Sequence, residues 1–304
     1  MARNFGNVAA SRPGLPDRPS GYYVLAEDAS FGAGDCVCCA DARSPLSEGE
    51  HPRAHISVML AGAFHARSRQ GARVVGPGAL LLGNASAPYE YRHVDAGGDR
   101  SIVFDYGEAL LEDMGRSLGM RLTGARAFEG VCIPASPASA EAVVLAQEAL
   151  RGGEPDALRE AALTVAEVAL AADRGGAVAG AELSSRQARR ITRTLRYVEA
   201  HGAEDCSLDA LAALAGLSSF HFLRLFRAMT GQTPRQFVIA TRLRMAAMAL
   251  RTRREPITEV AMDAGFGDLS HFTASFTRVF GVSPRDYRKR HGVAARAGFL
   301  ARRP

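Results

Sequence analysis

At 304 residues the chain is long enough for two domains of ordinary size, and a composition 47% hydrophobic and 23% charged excludes a chain without folded cores. The net charge of +5 conceals a segregation: residues 1–183 carry 16 basic and 23 acidic side chains, residues 184–304 carry 21 and 9. Affinity for a polyanion therefore belongs to the last two-fifths.

Residues 1–20 lack the apolar run of a signal peptide. No apolar stretch reaches the roughly 18 residues of a membrane helix, because Glu148 and Glu167 interrupt the best candidates. Five cysteines, with Cys36, Cys38 and Cys39 clustered and Cys132 and Cys206 apart, make no disulfide framework in so long a chain, so a reducing cytoplasm is expected. Lys289 is the only lysine among 37 basic residues, which fits either planar guanidinium contacts or an arginine-rich genome.

After the 1–20 tail, short apolar runs at 55–60, 74–75, 79–82 and 101–104 are bounded by glycine, proline and asparagine, the punctuation of strands and turns. From 137 to 173 the period changes, and Leu158, Ala161, Ala162, Val165, Val168 and Ala169 fall on one helical face. These two patterns define an expected first domain over 21–173. A Gly/Ala-rich stretch then marks a linker at 174–184. The second domain, 185–291, opens with a basic helix carrying Arg186, Arg189, Arg190, Arg193 and Arg196, and a basic tail, 292–304, follows it.

The second domain contains an internal repeat. Ala212, Ala215 and Gly216 recur as Ala261, Ala264 and Gly265. One inserted residue later, Phe222, Phe226 and Gly231 recur as Phe272, Phe276 and Gly281, and Thr233-Pro234-Arg235 as Ser283-Pro284-Arg285. Each copy reads as a short alanine-rich helix, the first capped by Ser207 and the second opened by Pro256, then a glycine able to take a positive φ, then a second helix. That is a helix-turn-helix plan.

In the first second helix, Phe222, Leu225, Phe226 and Met229 form the face expected to bury. Phe220, Leu223, Arg224 and Arg227, with Ser219 at the start, remain for a groove. In the second, Phe272, Phe276, Val279 and Phe280 bury, and Ser270, Thr273, Ala274 and Thr277 are small enough for close approach to base edges. A guanidinium such as that of Arg224 pairs bidentately with guanine, hydroxyls exchange hydrogen bonds with bases, and apolar groups meet thymine methyls. Phe220 and Leu223 read equally as packing residues. A long apolar helix over 234–250 would hold the two readers rigidly, for successive major grooves roughly 34 Å apart.

The run Leu211-Ala212-Ala213-Leu214-Ala215-Gly216-Leu217-Ser218, with Gly231-Gln232-Thr233-Pro234, Ile257-Thr258-Glu259-Val260-Ala261 and Phe280-Gly281-Val282-Ser283-Pro284, resembles the AraC/XylS transcription regulators. The resemblance implies a seven-helix DNA-binding domain acting on double-stranded promoter DNA and RNA polymerase, with activation as the expected output. It places the base readers at Phe220, Leu223 and Arg224 and at Ser270, Thr273 and Ala274. Ala274 stands where the family often has a basic side chain.

The first domain is similar to the cupin-type β-barrels that often precede this module, on the turn and strand Pro77-Gly78-Ala79-Leu80-Leu81-Leu82. That resemblance implies a small-molecule effector pocket in the barrel and a homodimer through the helices of 137–173. The expected fold is therefore α+β, a cupin-like barrel with following helices and then an all-α double helix-turn-helix. Neither a cofactor nor catalysis is expected. Cupin enzymes bind metal through two closely spaced histidines, a carboxylate and a later histidine. Here His51 and His55 are too far apart for that pattern, and Glu50, His65 and His93 complete it loosely. A metal-dependent cupin enzyme fused to a DNA-binding module remains the distant alternative. Cys36, Cys38 and Cys39 offer thiolates for a thiol- or metal-responsive regulator, although Cys36 and Cys38 also fit one face of a strand as plain core.

Overall fold

The computed structural model describes residues 19–93, 97–173 and 184–292. The expected tails at 1–20 and 292–304 and the linker at 174–184 lie outside the described residues except for Pro19, Ser20, Ser184 and Gly292. The first part contains β1 (Gly21–Glu27), β2 (Phe31–Cys38), β3 (Ser47–Glu50), β4 (Ala54–Gly62), β5 (Phe64–Ser68), β6 (Gly71–Val75), β7 (Leu80–Gly83), β8 (Pro88–Arg92) and β9 (Asp99–Tyr106). Helix α1 (Glu108–Ser117), strand β10 (Cys132–Ile133) and helices α2 (Pro137–Gly152) and α3 (Pro155–Asp173) follow.

The strands form two antiparallel sheets, one ordered β1-β2-β9-β4-β7-β10 and the other β3-β8-β5-β6. Both orders are open. The closed barrel expected from the sequence is thus not among the pairings of the described residues, and what stands is a β-sheet region with helices.

Alternation along the strands decides which layer each residue enters. Ile56 and Val58 of β4, Leu80 and Leu82 of β7, and Ile102 and Phe104 of β9 turn one face of the larger sheet toward α2 and α3, where Leu158, Ala161, Ala162 and Val165 meet them. The intervening residues, Met59, Leu81 and their neighbours, face the smaller sheet and pack with Phe64, Ala66 and Val75. Full burial of each large aliphatic side chain contributes about 1.5–3 kcal/mol, so the larger sheet is stabilised from both sides. Ser136 caps α2 through a reciprocal capping box. At the other end of the helical pair Asp173 accepts the backbone N–H groups of Glu129 and Gly130.

The second part is helical: α4 (Ser185–His201), α5 (Leu208–Ala215), α6 (Ser219–Thr230), α7 (Pro234–Thr252), α8 (Ile257–Asp263), α9 (Leu269–Phe280) and α10 (Pro284–His291). Helix α7, 19 residues and so about 28 Å long, is buried around most of its girth and supports the helices on either side.

The two parts share cores. Ala63, Val74 and Ala135 of the first pack into a cluster with Ile191, Leu195, Phe222 and Phe226 of the second. Ala140 and Val144 of α2 enter a second cluster with Leu243, Ala247, Phe272 and Phe276. Polar ties reinforce this: Arg73 donates to the Ala228 carbonyl at 3.2 Å, Arg196 donates to the Gly98 carbonyl at 2.8 Å, and Glu148 pairs with Arg251. No single helix among the described residues is long and apolar enough to cross a membrane.

Candidate nucleic-acid interface

The first pair of helices is built by its ends. Ser207 accepts from the Ala210 N–H to start α5, and Gly216 stops it at φ 64°, where a side chain would strain the backbone. Arg190 donates to the Gly216 carbonyl, fastening the turn to α4. Ser218 then caps α6 through the His221 N–H. The second pair repeats the plan with different caps. Pro256 precedes α8, Gly265 takes φ 85°, and Asp268 caps α9 by accepting from Ser270 and His271.

Each second helix is locked from behind by aromatic rings. Phe222 and Phe226 lie 5.6 Å apart, and Phe226 meets Phe237 at 6.0 Å. Phe272, Phe276 and Phe280 meet in tilted contacts along α9, and Tyr287 abuts Phe276 edge-on at 5.2 Å. Leu225 and Met229 are buried as the spacing predicts, whereas Val279 is half-buried.

The opposite faces point outward. Phe220 is 71% exposed, an apolar ring left in water at the start of α6. The Arg224 guanidinium sits 5.8 Å from that ring, a cation–π distance that holds both side chains forward. Arg224 and Arg227 are exposed and Leu223 is half-buried. Ser219 differs in that its hydroxyl donates to Asp209 at 2.5 Å, which ties it to α5. On α9, Ser270, Ala274 and Thr277 are exposed and Thr273 is half-buried. His221 and His271, equivalent in the repeat and exposed in the first turn of α6 and α9, were not singled out from the sequence, although the 50-residue offset points to them.

Arg235 and Arg285 also occupy equivalent places. Each follows the proline that opens α7 or α10, is exposed, and stands in a first turn, at the helix end whose dipole favours an anion.

The other candidates separate. His51 stacks on Tyr89 with ring centroids 4.5 Å apart and meets the His55 ring at a tilt, 3.7 Å away, while Tyr89 stacks on Tyr91. The space they line with Asn84 is about 20 Å³, room for one water. Glu50 and His65 join no metal-ligating group among the described residues, where one such group of three occurs: Cys38, His93 and Asp99. Burial works against protonation of His93, but hydrogen bonds to Asp99 and Cys38 prevail and lift it to about 10. Cys36 is buried two residues from Cys38, and Cys39 is half-buried beyond the strand end.

Two outward-facing second helices carried on one buried support define a paired helix-turn-helix DNA-binding module. The helix-turn-helix domain family matches residues 211–290. Regulatory protein SoxS of Salmonella typhimurium is 35% identical over 103 residues, 34% of this chain and 96% of SoxS. The transcriptional activator RhaS of Klebsiella pneumoniae is 35% identical over 109 residues, 36% of this chain but only 39% of RhaS. Among solved structures, the DNA-binding domain of AdpA in complex with a target DNA is 32% identical, covering 38% of this chain and 96% of that one with a TM-score of 0.32. The chain belongs to the AraC/XylS family of transcription regulators, carrying its DNA-binding domain at the C-terminal end. The relatives named are regulators and not enzymes.

Proposed function

We propose that the chain activates transcription by laying α6 and α9 in successive major grooves of double-stranded promoter DNA. One observation carries this reading: both second helices bury an aromatic stripe and turn the opposite face to solvent, on either side of a 19-residue helix. The ~28 Å length of that helix suits readers set one DNA turn apart. In this reading Phe220, Leu223, Arg224 and Arg227 read the first half-site and Ser270, Thr273, Ala274 and Thr277 the second, while Ser219 acts through Asp209 as a brace. Arg235 and Arg285 grip phosphates. RNA polymerase is the downstream partner.

The sheet region, 21–173, is the effector part and resembles a cupin in this reading, with 174–184 joining it to the reading module. A small effector would enter beside His51, His55, Tyr89 and Tyr91, and the small space there requires the rings to move to admit it. Coupling follows from the shared cores: a ligand that binds one packing of α2 against α7 and α9 more tightly shifts the population competent to read DNA. The inner faces of α2 and α3 are consumed within the chain. A homodimer through them would use outer residues such as Leu163, which is 38% exposed.

Selection of bound duplexes from a random library with the full chain tests the proposal. The expected product is a bipartite site, two short blocks with centres about 10 base pairs apart. Enrichment of a single block, or of none, overturns it.

A further inference from the structure

The group formed by Cys38, His93 and Asp99 lies outside the reading module and is left unused by the proposed function. It is assembled by register rather than by sequence proximity. Cys38 ends β2 and Asp99 begins β9, and the two are direct cross-strand partners. Both therefore face the space between the sheets, the side opposite Ile102 and Phe104. His93 follows β8 of the other sheet and reaches across, its Nε2 lying 2.5 Å from Asp99 Oδ2. One ligand atom from each residue lies within 4.8 Å of the other two, and all three residues are buried.

The surroundings hold these donors in place. Asp99 also pairs with Gly62 at the end of β4, where φ is +76° and a Cβ would collide with the Gly98 carbonyl and the Asp99 backbone. The Phe64 ring stands 5.8 Å from His93 and shields one side. The neighbouring Gly98 carbonyl is the one that Arg196 of α4 grasps.

Once the His93 ring proton held against Asp99 and the Cys38 thiol proton pass to solvent, displaced by the ion, a thiolate, an imidazole and a carboxylate form a mixed sulfur, nitrogen and oxygen donor set. Calcium and magnesium take oxygen ligands, so sulfur and nitrogen select against them. Zinc accepts all three donor types in tetrahedral geometry with bonds of about 2.0–2.3 Å, which puts neighbouring donors about 3.5 Å apart. The ligand atoms all lie within 4.8 Å of one another, so the wider spacings need to close, and the 2.5 Å His93–Asp99 pair to open, by only about 1 Å to meet that geometry. We propose that Cys38, His93 and Asp99 bind one zinc-class divalent ion between the two sheets, leaving a fourth position for water or a small donor molecule. Three protein ligands with one open position is also the arrangement of zinc sites that take an exogenous ligand.

The test uses the full chain, purified reduced, stripped with a chelator and titrated with Co²⁺ as a coloured stand-in for zinc. The expected result is one ion per chain, with a thiolate-to-cobalt charge-transfer band that equimolar Zn²⁺ abolishes. Cys38→Ser should remove the band, and His93→Gln or Asp99→Asn should weaken retention at least tenfold, while Cys36→Ser and Cys132→Ser leave both unchanged. Far-UV circular dichroism checks that each variant is folded. X-ray absorption of the zinc-loaded wild-type chain gives a readout independent of any variant, with one sulfur among mainly nitrogen and oxygen neighbours expected. No cobalt uptake by folded wild-type chain, a band that survives Cys38→Ser, a band lost in Cys36→Ser or Cys132→Ser, or a sulfur count other than one overturns the proposal.

Discussion

Replacing Glu148 with leucine removes the ion pair between α2 and α7 at a point where both charges are buried. The Glu148 and Arg251 side chains keep 9% and 6% of their exposure and form an ion pair, and Arg251 also donates to the Tyr287 hydroxyl at 2.9 Å. Removing one member of such a pair costs about 3–5 kcal/mol because its partner stays buried without a counter-charge, whereas an apolar pair of similar volume is close to neutral. Tyr287 still satisfies one guanidinium N–H, so Glu148→Leu should fall at the lower end, about 3 kcal/mol. At roughly 2–4 °C per kcal/mol in large domains, the melting midpoint should drop by about 6–12 °C. Adding Arg251→Met should restore most of it. Calorimetry on the single and double variants closes a double-mutant cycle. A loss below about 1 kcal/mol for Glu148→Leu, or a double variant no more stable than the single, would refute the claim that this pair clamps α2 onto α7.

Arg224→Ala should weaken binding to the selected site by about 1–3 kcal/mol, roughly 5- to 150-fold, and relax preference at one base position. Equal losses on selected and random duplexes in fluorescence anisotropy would count against its role as a reader. Arg235→Ala combined with Arg285→Ala should weaken all sequences alike and reduce the slope of log affinity against log salt by about 2, and an unchanged slope removes them from the phosphate contacts. Burial raises Glu199 to about 7 against the opposing pull of Arg244 and Arg196. Because the folded-state value exceeds the unfolded one, its contribution is most favourable below about 4.5 and is lost as pH rises toward 7. Glu199→Gln should therefore lose less stability than wild type between pH 5 and pH 8 in urea titrations, and parallel losses would dismiss the effect.

The module was legible because its signals are local and doubled. Ser207 and Gly216 delimit α5 from within ten residues of chain, and the spacing of Phe222, Leu225, Phe226 and Met229 marks the inner face of α6 without reference to any partner. The sheets were less legible. Runs at 55–60 and 101–104 announce strands, but neither sheet order nor the cross-strand pairing of Cys38 with Asp99 follows from them, because register is set by contacts distant in sequence. Helix α1 was hidden in a region punctuated like strands, its short amphipathic run lying between Gly107 and Gly119. Among the cysteines, clustering drew notice to three neighbours, yet Cys38 finds its partners more than fifty residues away. The apolar spacing of α2 and α3 announced a buried face but not what covers it: α3 turns it to the sheet, while α2 divides its residues between the sheet and α7.

The wedge made by α2 bears on how this gene tolerates dissection. Ala140 and Val144 cover Leu243, Ala247, Phe272 and Phe276, and Ala63 and Val74 cover Leu195 and Phe226. Cleaving the polypeptide near Ser184 would bare two apolar patches on the helical part, which should then be prone to self-association. The scaffold with the sheets thus shields apolar surface that its neighbour would otherwise show to water.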